Sequence, residues 1–210
     1  MFPNPHRAVA VDAVSGSGTG SSRRAANGAG APRPRNRLDS GFRVTDMAGA
    51  STPAIRTLVR AAAEHRVHAY THDPRTDSYG TEAVDALAAE LGLDPAQIFK
   101  TLVLELSTGS LAVAVLPVPQ SLSLKAAAAA LGAPKAAMAD RGKAERSTGY
   151  VLGGISPLGQ RKTLPTVVDA SAKRWERVLC SAGRRGLEIE LAPADLIRLT
   201  DAVVAPVAAS

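Results

Sequence analysis

Apolar positions recur with a regular period only after about residue 50. Thr52-Pro53 reads as a helix N-cap followed by proline in the first turn, and Ile55, Leu58, Val59 and Ala62 follow at helical spacing. Val67-His68-Ala69-Tyr70-Thr71-His72 alternates and stops at Asp73-Pro74, which predicts a strand. A second helix is predicted over Thr81 to Leu91, closed by Gly92. Ile98 to Leu106 and Leu111 to Leu116 read as apolar strands joined in a hairpin across Ser107-Thr108-Gly109-Ser110. Helices are predicted over Leu124 to Leu131 and, shorter, around Gly142 to Ser147. Strands are predicted at Thr166–Ala170, Val178–Ser181 and Leu187–Leu191, and Pro193 to Thr200 starts a last helix. Hairpins mixed with helices, without regular strand–helix alternation, predict an α+β fold. The expected architecture is a curved, mostly antiparallel mixed sheet, partly closed and barrel-like, with flanking helices.

The segment before this pattern is of another kind. Residues 13–50 contain SGSGTGSS, ANGAGAP and RPRNR, with no apolar period. Such composition buries too little surface to offset chain entropy. The expected organisation is a disordered tail over 1–50 and one folded domain over 51–210. The tail holds seven arginines against three aspartates, and so carries four of the six net positive charges. The folded part is therefore only mildly basic, and aromatics at 3% argue against repeated base stacking. Cys180 is the single cysteine, which excludes an internal disulfide and a thiolate zinc cluster. No run approaches the ~20 apolar residues of a membrane span, and the N-terminus lacks a secretory pattern. A cytoplasmic, membrane-free protein is expected.

Two features stand out as candidate chemistry. Lys100 interrupts the apolar strand Ile98-Phe99-Lys100-Thr101-Leu102-Val103-Leu104. It reads either as an edge lysine that resists aggregation or as an ammonium aimed at an anion or a carbonyl oxygen. The stretch GYVLGGISPLG, residues 149–159, offers bare backbone: Gly153 and Gly154 permit close approach or positive φ, and Pro157 stiffens the chain behind them. By itself it fits a plain turn as well as a ligand wall, and it lacks the strand-to-helix context of a phosphate loop. Ser156 has no local partner for a Ser-His-Asp arrangement. His68 and His72 flank Tyr70 without a Cys or Glu at ligand spacing, so no metal is expected. Arg184-Arg185-Gly186 reads as a basic turn, and Glu188 and Glu190 share a strand face.

The blocks TPAIRTL (52–58), HAYTHDP (68–74), IFKTLV (98–103), LAVAVLPV (111–118), RSTGYVLGGISPLGQRKTLP (146–165) and RRGLEIEL (184–191) occur in this order. Together they closely resemble the YbaK-type Cys-tRNA(Pro) deacylases, in the superfamily that includes the prolyl-tRNA synthetase editing domain. The likeness runs from about Ser51 to the C-terminus. It implies hydrolysis of the ester joining a wrong amino acid to tRNA, with no cofactor, the YbaK type acting on the Cys-tRNA(Pro) that prolyl-tRNA synthetase makes by mistake. It implies catalytic roles for Lys100, Gly153 and Gly154. It places Tyr70, Tyr79, Gly80, Thr101, Ile155, Ser156, Pro157, Ser181 and Glu188 at the substrate. Glu188 departs from the aspartate of the YbaK pattern by one methylene. The partners it implies are the acceptor end of tRNA(Pro) and prolyl-tRNA synthetase. A related deacylase for Ala-tRNA(Pro), or a non-catalytic tRNA- or synthetase-binding module, remain open alternatives.

Overall fold

The computed structural model describes residues 51–72, 75 and 79–209, except for the side chain of Tyr79. The expected tail over 1–50 lies outside the described residues.

The chain order begins with α1 (Pro53–Arg60), β1 (His65–Ala69), α2 (Tyr79–Leu91), β2 (Ile98–Leu106), β3 (Leu111–Pro117) and α3 (Leu124–Ala130). It continues with β4 (Ala136–Met138), α4 (Arg141–Thr148), β5 (Thr166–Asp169), β6 (Val178–Arg184), β7 (Leu187–Leu191), α5 (Pro193–Thr200) and β8 (Val203–Ala205). Thr52 caps α1 by accepting from the Ile55 N–H at 3.2 Å, and Pro53 occupies the first turn, where its missing donor costs nothing. Gly149 ends α4 in the left-handed region at φ +78°, a conformation glycine adopts without steric cost.

Two strands are bounded differently from expectation, and two more are not predicted; one of the former, β6, runs on from the predicted Ser181 to Arg184. The first strand spans His65–Ala69 rather than Val67–His72: its antiparallel pairing with β7 starts at His65↔Leu191 and ends at Ala69↔Leu187, leaving His72 off the strand. β4 and β8 are three residues each, too short for alternation to reveal.

The sheet follows the path β1-β7-β6-β2-β3-β5-β8, with β4 also paired to β2. Antiparallel pairs are β1·β7, β2·β3, β2·β4 and β6·β7; β2·β6, β3·β5 and β5·β8 are parallel. Antiparallel pairing is the majority, but the parallel share is larger than the sequence suggests. Among the described residues the path has two unjoined ends, β1 and β8, so no hydrogen-bonded barrel closes.

Alternation along β2 assigns the layers. Phe99 packs with Ala54 and Leu58 of α1 and Leu196 of α5. Ile98 packs with Ala83, Leu87 and Ala88 of α2, and Leu104 with Ala127 of α3. Helices α1 and α5 thus cover one face, α2 and α3 the other.

One irregularity positions the site. On one edge, β2 pairs with β6 only at Ile98 and Phe99, and with β4 only at Leu104 to Leu106. Between them β2 has no strand partner on that edge. β6 itself departs at a register shift between Ser181 and Arg184, with Gly183 at φ +94°.

A candidate active-site cleft where two strands part

The gap between β2 and β6 opens into a cleft of about 300 Å³. Its lining includes Lys100, Thr101, Gly80, Gly153, Ile155, Ser181 and Glu188. Seven of the residues singled out in the sequence are thereby gathered from four separate parts of the chain. Five consecutive β2 residues, Ile98 to Leu102, all reach the cleft. A paired strand interior would show a pocket only every second residue; the unpaired edge exposes both faces.

Lys100 donates from Nζ to the carbonyl of Val118 at 3.0 Å and to that of Gln120 at 2.5 Å. Among the described residues it has no carboxylate partner. Burial holds its pKa below the ordinary lysine value. Two neutral carbonyls orient the ammonium and leave its charge uncompensated. These carbonyls come just after β3, and no side-chain pattern could have marked them in the sequence.

The loop after α4 supplies the opposite wall. The Gly154 N–H donates to the Val151 carbonyl at 2.9 Å, closing a turn with Gly153 at φ +83°. That φ is what a type II turn demands of its third residue. The Leu152 N–H is taken by Glu145 Oε1 at 2.9 Å, and the Leu152 carbonyl accepts from Arg185 Nε at 2.9 Å. By contrast, the N–H groups of Gly153 and Ile155 have no acceptor among the described residues. Gly154 itself does not line the cleft. It backs onto the β6–β7 turn, where an added Cβ would sit 3.0 Å from the Arg185 nitrogen. The two glycines therefore divide the work: one faces the cleft and the other lets the loop seat.

The loop is pinned at both ends. Tyr150 Oη donates to the Leu158 carbonyl at 2.8 Å, and its ring lies where a side chain at Gly183 would be. Gly159 presses on α1, since a Cβ there would come within 2.5 Å of the Pro53 carbonyl carbon. Ser156 is fully buried, and its Oγ accepts from the Leu158 N–H at 3.2 Å. Ser156 and Pro157 are absent from the cleft lining, and Pro157 lines a different groove.

Glu188 is the acidic member. Strand pairing sets it directly across from Ser181. Burial pushes its carboxyl pKa up to about 8. Burial thus favours its neutral form, and no described side chain forms a hydrogen bond with its carboxyl. Ser181 accepts from the Gly183 N–H at 3.3 Å, which leaves its hydroxyl proton available. Thr101 Oγ1 is buried without a partner among the described residues.

Tyr70 stands behind the cleft, packed on the Leu87–Ile98–Leu179 cluster, with its N–H on the Gly186 carbonyl at 3.0 Å. Burial, and then the charges of Glu188 and Glu82, raise its phenol to about 12. Tyr79 opens α2, and its side chain lies outside the described residues. The histidines go to separate carboxylates, His68 to Glu190 and His72 to Glu82, each at 2.7 Å. Glu190 thereby stays below the usual carboxylate value, mainly through His68.

Leu152, Val118, Thr81 and Ala83 also line the cleft and were not marked in the sequence. Leu152, an apolar residue before two glycines that remains 38% exposed, is the one a sequence signal could have found.

The fold has known counterparts. The sequence profile of the aminoacyl-tRNA editing domain matches residues 80–199, and the chain belongs to that family. It is 40% identical over 119 residues to an Enterococcus faecalis protein, EbsC, whose name assigns it as a Cys-tRNA(Pro)/Cys-tRNA(Cys) deacylase. That match covers 57% of this chain and 73% of EbsC. Among solved structures it is similar to a protein assigned as a trans-editing enzyme for prolyl-tRNA synthetase (TM-score 0.64, 25% identity, 76% of this chain and 99% of that one). It is also similar to a hypothetical protein of unassigned function (TM-score 0.65, 26% identity, 75% of this chain and 100% of that one).

Proposed function

We propose that the protein is a free-standing editing deacylase that removes cysteine from mischarged Cys-tRNA(Pro). The observation that carries the reading is the shared cleft, where an uncompensated ammonium and two unengaged backbone N–H groups line one small space. A volume of about 300 Å³ suits an aminoacylated ribose rather than a nucleotide stack. EbsC, with its deacylase name, supports the same substrate.

An aminoacyl ester is already activated, so the protein need not supply a nucleophile. The cysteine thiol of the substrate attacks its own ester carbonyl. A carbon–sulfur bond forms, the bond from carbon to the ribose oxygen breaks, and the thiol proton ends on the ribose hydroxyl. The products are a thiolactone and free tRNA. Well-held intramolecular attack reaches effective molarities of ~10⁵ M or more, so orientation supplies much of the rate. In this reading Lys100 grips the phosphate–ribose end of the terminal adenosine. The N–H groups of Gly153 and Ile155 stabilise the charge that develops on the carbonyl oxygen. Glu188 and Ser181 bound the aminoacyl group, and Tyr70 and Thr101 support them. Gly154 acts through the loop's shape, as do Ser156 and Pro157.

Selection of tRNA(Pro) is assigned to docking on prolyl-tRNA synthetase, because the cleft has room for little beyond the acylated ribose. A cytoplasmic site of action fits this substrate, and no helix among the described residues is long and apolar enough to cross a membrane.

The test is a deacylation panel of Cys-, Ala- and Pro-tRNA(Pro), with thiolactone trapping and with or without the synthetase. Cysteine released as thiolactone, with alanine and proline retained, is expected. Preferential alanine release would move the protein to a related editing activity, and binding without release would make it a tRNA-binding module. Discrimination against alanine should track the thiol, since a methylene-sized pocket difference gives only ~1–3 kcal/mol. The synthetase is expected to sharpen selection for tRNA(Pro); unchanged selection would count against docking.

A further inference from the structure

The glycine loop walls a second cavity that the deacylase reading leaves unused. A groove of about 390 Å³ lies between α1 and the strap that continues from the loop, lined by Arg56, Thr57, Arg60, Pro157, Gln160 and Thr163 among others. Gly153 and Ile155 belong to the cleft, and Pro157 and Gly159 to the groove. Only Gly154, Ile155 and Ser156 lie between Gly153 and Pro157, so the two walls lie within ~14 Å of each other.

The charge around this groove is one-sided. No acidic residue lines it. Arg56 and Arg60 line it and are exposed on α1; Arg161 and Lys162 are exposed on the strap between the lining residues Gln160 and Thr163, outside the lining itself, with the Arg161 guanidinium donating to the Arg146 carbonyl at 3.4 Å. Among the described residues none of these four cations forms an ion pair. The strap is held in place by backbone, the Arg161 N–H donating to the Thr148 carbonyl at 2.8 Å and the Lys162 N–H to that of Ser147 at 3.2 Å. The other wall of the cleft has the opposite sign. α2 contributes Gly80, Thr81 and Ala83 to the lining and carries Glu82, Asp85 and Glu90 with no lysine or arginine.

We propose that the groove between α1 and residues 157–164 holds the sugar-phosphate backbone of the tRNA acceptor stem, with Arg56, Arg60, Arg161 and Lys162 as its phosphate contacts. The inference rests on the deacylase reading, which puts the acylated 3′ end in the cleft. A polyanion fixed at that end must leave past one wall. The acidic α2 repels it, and the unpaired cations beside the glycine loop attract it. Phosphate contacts position without reading sequence, consistent with a domain poor in aromatics. The mild net charge of the folded part conceals this surface, because the compensating acids lie elsewhere.

The experiment compares two substrates. One is full-length Cys-tRNA(Pro); the other is 3′-cysteinyl-adenosine, which fills the cleft but has no stem. The variant is Arg56→Gln/Arg60→Gln/Arg161→Gln/Lys162→Gln, and the control is Lys173→Gln/Arg174→Gln, exposed cations outside the groove. For the variant, kcat/KM on the tRNA is expected to fall about tenfold or more at ~0.1 M salt, through KM, with a shallower salt dependence. Its turnover of cysteinyl-adenosine, and both activities of the control, are expected to hold. An unchanged tRNA KM in the variant would overturn the surface while leaving the deacylase reading intact. So would an equal loss in the control, or an equal loss on cysteinyl-adenosine. Wild-type protein inert on both substrates would instead overturn the deacylase reading, and this surface with it.

Discussion

Glu188 shows what a single residue's surroundings do to its chemistry. In the sequence it is one of two glutamates on a strand face, and only the family resemblance, not the strand pattern, distinguishes it from Glu190. In the fold Glu190 meets His68, Arg66 and Arg177 and stays ionised, whereas Glu188 is buried with no ion-pair partner among the described residues, and burial raises its pKa to about 8. A carboxyl whose pKa rises on folding contributes stability below its unfolded value, ~4.3, and loses it as pH climbs through the folded value. The wild-type melting temperature should therefore fall relative to Glu188→Gln between about pH 5 and 8, then level off. Parallel thermal melts across pH 5 to 9 check this; a constant gap would mean Glu188 is ionised in the folded protein. Lys100 was legible as a misplaced charge in an apolar strand. Its partners were not, because backbone carbonyls carry no sequence signature.

At the scale of elements, the glycine loop divides into parts that the sequence presents as one motif. Gly153 lines the cleft at φ +83°, where any side chain is strained. Gly159 is at φ +65° and also jammed against the Pro53 backbone. Gly153→Ala should cost ~1–2 kcal/mol through the left-handed penalty. Gly159→Ala should cost more, at least ~2 kcal/mol, because α1 or the loop must move as well. Denaturant unfolding of the two variants gives the comparison, and equal losses would contradict it. Gly154→Ala is expected to impair turnover by displacing the loop from the β6–β7 turn, with KM and kcat both affected. Element type was readable from periodicity for α1, α2, β2, β3 and α5, since each is long enough to repeat its pattern. β4 and β8 were not, at three residues each.

At the scale of the molecule, the decisive contact is the parallel pairing of Ile98 with Leu179 and Phe99 with Cys180, across some eighty residues of chain. Periodicity says which face a residue takes, not which strand lies beside it. The cleft exists because that pairing stops after two residues, and only the three-dimensional structure reveals where it stops. Among the described residues the cleft lining falls within residues 80–188, so removal of residues 1–50 should leave deacylation intact. A salt-sensitive loss of affinity on truncation would make that segment an RNA-binding arm.

The account turns on an ammonium and a bare-backbone loop acting on one ester. The most direct test is the rate of cysteine release from Cys-tRNA(Pro) by the wild type and by Lys100→Ala, each shown to be folded by its melting temperature. The expected result is rapid release by the wild type and a loss of ~10²-fold or more in the variant with the fold retained. Equal rates from the two proteins would contradict it.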